Sequence, residues 1–255
     1  MEIRNLCNGA LVCDPACPDV IFRIWRKNEE GTYLMADNVL RQMCFDAAEP
    51  GRRFGNNDYA LSNIRQYLNA EGMNWFRPQH ENDTPPTREN IYDGDNPYVG
   101  LPGFLTGFSE GFKAAILTAA VESRDRDGNL RILNDRVFLP SATEMGFHTS
   151  EGMEEGEKLP LANDPRMRIA APTAEAVATA TWKPAFFGVD KPRDWLLRSP
   201  SAGYASSVRY VNTDGSENYG NAYSGYRGLR PALILKSDTL VSNQPDQRGV
   251  YRLTA

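Results

Sequence analysis

Hydrophobic and polar positions alternate from Val20 to Lys27, with Val20, Phe22 and Ile24 on one side and Ile21, Arg23 and Trp25 on the other. A period of two with apolar residues on both faces predicts a strand, and Gly31 is placed to turn it into a second strand, Tyr33 to Ala36. Ser62 to Ala70 has a helical period, with Ser62 as N-cap and Ile64, Tyr67 and Leu68 on one face. Gly72 follows, where a left-handed residue ends a helix. Ser109 to Val121 predicts a second helix, capped by Ser109 and burying Phe112, Ala115, Ile116 and Ala119. Trp75 to Gly100 has no period and is rich in Pro, Asn, Asp and Glu, so it reads as a long surface excursion. The acidic, Gly-containing stretch from Ser150 to Asn163 reads as an exposed insertion. Val137 to Leu139 predicts a short strand leading into Ser141-Ala142-Thr143-Glu144, a capping box that opens a helix and in which Ser and Glu satisfy each other's backbone donors. Ala232 to Leu235 is continuously apolar, so Arg230 to Lys236 is expected to be a strand covered on both faces. Two main helices, short strands and long irregular segments indicate an α+β protein, read as a single domain over residues 1–255.

Composition narrows the classes. Hydrophobic residues make up 41% of the chain, enough for a sizeable core, while 21 Gly and 17 Pro imply much turn and loop. A net charge of -5, with Lys and Arg interspersed among acids, argues against a sequence-independent nucleic-acid binder, which needs a basic face. No apolar run is long enough for a membrane-spanning helix, and Met1-Glu2-Ile3-Arg4-Asn5 has no signal-type apolar stretch. The four cysteines, Cys7, Cys13, Cys17 and Cys44, do not have the paired spacing of common zinc sites. Free, mostly buried thiols are the expectation, with a disulfide left open for a protein outside the cell.

Candidate chemistry is thin. Asp125-Arg126-Asp127-Gly128-Asn129 partly resembles a calcium loop but lacks the later ligands, including the distal Glu, and reads as a polar turn. His80 and His148 are the only histidines, and neither has a nucleophile nearby in sequence. No cofactor and no metal are expected. Arg198 and Arg230 are expected to be held by buried or half-buried hydrogen bonds, with an anion site made by both guanidinium groups as the alternative.

One window has the composition of a contact surface. Gly203 to Arg227, 25 residues, holds five Tyr, four Ser, four Gly and three Asn, no Lys, and only Asp214 and Glu217 as acids. Tyr supplies rigid amphipathic area, while Ser, Gly and Asn supply adaptable hydrogen bonding. Strand-like segments frame the window, the layout of irregular binding residues on a rigid scaffold.

Around that window lie Trp195-Leu196-Leu197-Arg198-Ser199-Pro200, Val208-Arg209, Asn212-Thr213-Asp214-Gly215-Ser216, Asn221-Ala222-Tyr223 and Gly228-Leu229-Arg230-Pro231-Ala232-Leu233. Upstream, in order, are Tyr59 to Asn69, Pro102-Gly103-Phe104-Leu105 with Phe108, Val137 to Ser141 and Arg168 to Thr173. Over roughly residues 20 to 237 this pattern resembles a C-type-lectin-like domain family of gut bacteria and their phages, distantly related to the formylglycine-generating-enzyme fold. Some members are variable proteins of diversity-generating retroelements, in which Asn codons near the carboxy terminus are rewritten to Tyr, Ser, Gly, Asp, Ala or His, never to Lys, Glu, Gln, Met or Trp. The resemblance implies a variable ligand-binding region over about 201–227. It would be built from Tyr204, Ser206, Ser207, Tyr210, Asn212, Asn218, Tyr219, Gly220, Asn221, Tyr223, Ser224 and Tyr226, with Glu217 fixed. The five tyrosines are expected to be mostly accessible and grouped on one face. The enzymes of the wider fold use a cysteine pair in their carboxy-terminal half, and no Cys follows Cys44 here.

The function expected is therefore non-enzymatic ligand or receptor binding, on a phage or prophage particle made in the bacterial cytoplasm, or else at the bacterial cell surface. The partner is expected to be a protein or glycan on a host or neighbouring cell, with no nucleic acid and no membrane insertion. A structural virion module or surface adhesin with a fixed interface, and an enzyme of the formylglycine-generating kind, are the alternatives.

Overall fold

The computed structural model describes residues 1–29, 31–150, 152–181 and 188–254. Its strands and α-helices run, in chain order, β1 (Leu11–Cys13), β2 (Ile21–Lys27), β3 (Thr32–Ala36), β4 (Arg41–Gln42), α1 (Asn63–Leu68), α2 (Glu110–Ala115), β5 (Ala119–Arg124), β6 (Leu130–Asp135) and β7 (Val137–Phe138). They continue with α3 (Ala174–Ala178), β8 (Trp195–Pro200), β9 (Ser207–Val211), β10 (Glu217–Asn221), β11 (Gly228–Leu229), β12 (Ala232–Leu235) and β13 (Val250–Arg252). One sheet has the order β13-β1-β2-β3-β12-β7, a second β10-β9-β8-β11-β4, and β5 and β6 pair as a separate hairpin. Short helices beside many strands make the fold mixed α+β. No described helix is long and apolar enough to cross a membrane.

The alternating segment becomes β2, and β3 follows it as an antiparallel partner. β12 is an interior strand next to the β7 edge, pairing β3 on one side and β7 on the other, and Ala232, Leu233 and Leu235 are buried. α1 starts where Ser62 places it, the hydroxyl accepting from the Arg65 N–H, and buries Ile64, Tyr67 and Leu68. The Ser141–Glu144 reciprocal bonds form at 3.0 and 2.8 Å, but the residues that follow are turns, so the box closes a corner instead of opening a helix.

Four further expectations are corrected. The second helix stops at Ala115, and Ala119 to Val121 belongs to β5. Apolar positions at helical and strand spacing coincide there, and pairing decides: Leu117 N–H donates to the Ile234 carbonyl, Ile116 bridges Leu235, and β5 alternates buried Ala119, Val121 and Ser123 with exposed Ala120. Trp75 to Gly100 is irregular but only partly surface. Trp75, Ile91 and Tyr98 are buried, with the Trp75 and Tyr98 rings stacked at 5.5 Å. The stretch from Ser150 to Asn163, of which Glu151 lies outside the described residues, buries Met153, Glu155, Leu159 and Ala162 and is not an exposed insertion. The Tyr-rich window is not an irregular loop either, because most of it folds as the β9–β10 hairpin.

Beneath the second sheet the core encloses polar groups. Arg198 is fully buried on β8, where its guanidinium grips Glu144 at 2.7 and 3.1 Å and donates to the Glu122 and Leu139 carbonyls at 2.8 Å each. Ser199 donates to the buried Glu155, and the Tyr33 hydroxyl donates to Glu144. Burial opposes the charge on Arg198, but Glu144 and Glu155 more than offset it and hold the guanidinium above its ordinary value. Arg230 lies apart, its guanidinium 5.6 Å from the Trp25 ring and 5.0 Å from the Trp195 ring, with donations to the Ala36 and Met167 carbonyls. Burial pulls it down to about 10 against the opposing pull of Asp37. The two arginines are thus held by buried hydrogen bonds to separate partner sets, and no shared anion site forms between them.

Candidate functional site

The β9–β10 hairpin forms one edge of the second sheet, held on its inner side by β8. Its register pairs Tyr210 with Asn218 and Tyr219 with Arg209. Side chains alternate across a strand, so Tyr210 and Tyr219 point to opposite faces. That single step separates two fates. Tyr210 is only 7% exposed, and the Arg227 guanidinium sits 3.3 Å from its ring centre. Tyr219 is 54% exposed and stacks at 5.9 Å on Tyr204, itself 59% exposed.

A second aromatic group gathers where the chain leaves β10. Tyr223 meets Tyr92 at 5.6 Å and Phe54 at 5.6 Å edge-on, and Tyr226 meets Tyr92 at 6.2 Å. Arg53 lies over the Phe54 ring at 4.4 Å. Tyr223 and Tyr226 are half-buried and Tyr92 is exposed. Composition of the window could not have found Tyr92, Phe54 or Arg53, since all three lie more than a hundred positions upstream. The sequence signal next to Tyr92 is Asp93-Gly94-Asp95-Asn96, turn-forming residue types, and positive φ at Asp93, Gly94 and Asn96 agrees with it.

The structure divides the twelve residues expected to form the surface. Tyr204, Asn218 and Tyr219 are exposed, and Ser206, Asn212, Gly220, Asn221, Tyr223 and Tyr226 are intermediate. Ser207, Tyr210 and Ser224 are buried, which corrects the expectation of accessible side chains there. Ser207 is enclosed because its carbonyl accepts from the Asn57 side chain and its strand pairs on both sides. A Cβ at Gly220 would come within 2.6 Å of the Arg227 guanidinium, so a larger residue there requires that side chain to shift. The expectation of one grouped face is also corrected. Of the five tyrosines expected on one face, Tyr210 is turned away by the pleat of β9–β10, while the other four fall into a Tyr204–Tyr219 pair and, with Tyr92, a Tyr92–Tyr223–Tyr226 group. Glu217 pairs with Arg209 at 2.7 Å, both half-buried, which pins the start of β10.

The other chemical candidates settle into local structure. Asp125 accepts from the Asp127 and Asn129 N–H groups and from the Asn129 amide, so its segment is a self-satisfied hairpin turn. The four cysteines are free thiols; Cys13 and Cys44 are buried, Cys17 is half-buried and Cys7 is exposed. Burial pushes the Cys44 thiol far above its ordinary value, so it has no nucleophilic character. His148 is exposed. His80 has partners that its sequence neighbourhood did not reveal: its Nε2 lies 3.2 Å from Glu49, and with Asp83 the three side chains bring ligand atoms within 4.8 Å of one another. They could hold a metal ion, but Glu49 is also taken by Arg52 at 3.2 Å, and Asp83 accepts from Gln79 and Asn63.

Residues 29–237 match the model of a domain of unknown function, DUF6273. The chain belongs to this family. The DUF6273 span runs from just before β3 to just after β12, so it holds the whole second sheet and both aromatic groups, and leaves β1, β2 and β13 outside. No curated protein and no solved structure matches the chain.

Proposed function

We propose that this DUF6273 protein is a non-enzymatic ligand- or receptor-binding protein of C-type-lectin-like fold, displaying a diversifiable surface on a phage or prophage particle. The observation that carries the reading is the exposed, mutually stacked Tyr204–Tyr219 pair on an edge hairpin whose inner neighbour, β8, is entirely buried. Large aromatic rings left in water on a rigid base are the kind of anchor that dominates binding hot spots. The partner is a protein or glycan on a host or neighbouring cell. Contact falls to Tyr204, Asn212, Asn218, Tyr219, Asn221, Tyr223 and Tyr226, with Tyr92 added. The position required to be invariant under Asn-codon rewriting, Glu217, is the one tied down by Arg209. That agreement supports the diversification reading.

The gene's surroundings supply the first test: a reverse transcriptase and a near-identical repeat with Asn codons at these positions support diversification, and their absence removes it. Binding itself is tested by pull-down of purified protein on bacterial cells, with Tyr204→Ser/Tyr219→Ser as the variant expected to lose adhesion. A second reading, a structural module contacting a neighbouring subunit, is favoured by β10 being the end strand of its sheet, since an unpaired edge can accept another strand. Bacterial surface adhesion with a fixed interface would use the same residues.

A further inference from the structure

The opposite edge of the second sheet, at β4, borders a cavity of about 450 Å³, within the size range of small-molecule sites. Its apolar wall includes Leu40, Phe104, Phe108 and Leu229, with the two phenylalanine rings 5.4 Å apart. Polar groups converge on the same space. Arg41 donates to Glu175 at 2.9 Å, but the Glu175 side chain is 71% exposed, so the ion pair is weak and exchangeable. Tyr67 also lines the cavity. It is 7% exposed, its ring is fixed edge-on by Trp75 and Tyr98, and its hydroxyl makes no hydrogen bond among the described residues. Burial raises the phenol, with Arg41 opposing, so the hydroxyl keeps its proton and is able to donate. The hydroxyl is not one of the enclosed polar atoms left without a partner, so it opens into the cavity, where a ligand can accept from it.

We propose that this cavity binds a small monocarboxylate with an aromatic or branched aliphatic body. The carboxylate accepts from Arg41, in place of Glu175, and from the Tyr67 hydroxyl, while the body lies against Phe104, Phe108 and Leu229. The planar guanidinium fork suits a carboxylate. Asp19 and Glu175 on the same lining disfavour a doubly charged phosphate. The site does not depend on the tyrosine hairpin, which occupies the other end of the sheet.

The test is titration of the full chain with 3-phenylpropionate and with its neutral primary amide, followed calorimetrically. The acid is expected to saturate and to bind about tenfold tighter than the amide, the scale of one charge-assisted hydrogen bond. Arg41→Gln should abolish that preference, and Glu175→Gln, at an exposed position, should tighten the acid. Tyr67→Phe should weaken the acid without lowering Tm, because the hydroxyl has no protein partner to lose. Bound acid should also slow alkylation of Cys17, which lines the cavity. Failure of the acid to saturate, equal affinity for acid and amide, or unchanged acid binding in folded Arg41→Gln would overturn the proposal.

Discussion

β8 and the hairpin beside it belong to one sheet and are built on opposite rules. Every residue of β8 is buried, including a full positive charge on Arg198, whereas β10 has no buried residue and leaves Tyr219 in water. The arginine is tolerated because Glu144 and two carbonyls accept hydrogen bonds from its N–H groups, so charge is enclosed only where its hydrogen bonds are complete. The tyrosine is exposed although its ring is apolar enough for a core. Residue type therefore does not sort the two regions. Register and partner supply do.

The sharpest way to break the comparison is to cut into β8. Trp195→Ala truncates a fully buried ring that also stacks on Arg230 and is expected to cost about 3–5 kcal/mol. Arg198→Ala strands Glu144 in the core and is expected to cost a similar ~3–5 kcal/mol, because removing one partner of a buried pair leaves the other uncompensated. Urea denaturation measures both. A loss under about 1 kcal/mol, the level of an exposed ion pair, would mean that β8 is not the rigid base described.

Tyr210→Ser tests the hairpin's inner face. It removes the ring beneath Arg227 and should cost about 1.5–3 kcal/mol, the scale of a buried side chain of that size. Chemical denaturation showing no loss would place Tyr210 with the display residues after all.

A smaller effect lies in pH. Asp46 is buried with its two oxygens on the Asn56 and Asn63 N–H groups, and burial holds its carboxyl well above the usual range despite those bonds. The native state then binds the proton more tightly than the unfolded chain. Its contribution to stability is complete below the ordinary carboxylate range and is lost as pH rises through the raised value. Asp46→Asn cannot ionise, so melts across pH 4 to 8 should show a shallower decline in Tm toward neutral pH than the natural chain, by roughly 1–2 °C or more on ordinary domain scaling. A steeper decline in the variant would contradict the assignment.

These contrasts also show how far the amino-acid pattern reaches. The β2–β3 pair and the β12 strand were legible because period, turn glycine and apolar run all agree at those places. The end of α2 was not, because Ile116 and Ala119 satisfy a helix and a strand equally until Leu117 finds Ile234. The Tyr-rich window was visible as composition, yet its division into Tyr210 inside and Tyr219 outside depends on hairpin register, which the spacing of Tyr, Ser and Gly does not encode. Tyr92 and the Tyr67 cavity escaped altogether, since each is assembled from segments far apart in the chain.

The smallest expected effect carries the most weight for function. Tyr219→Ser should move stability by no more than about 0.5 kcal/mol, as exposed substitutions away from caps and cores do. The ring it removes touches Tyr204, which is already 59% exposed, so little extra apolar surface is uncovered when the stack is lost. Thermal melts of Tyr219→Ser and Tyr210→Ser side by side decide the matter, because the two positions sit one register step apart on paired strands and differ only in the face they occupy. Equal losses would show that both rings serve the fold. A near-silent Tyr219 beside a costly Tyr210 would leave the exposed ring with no role in stability, and a large side chain kept in water without one is free to serve contact with a partner.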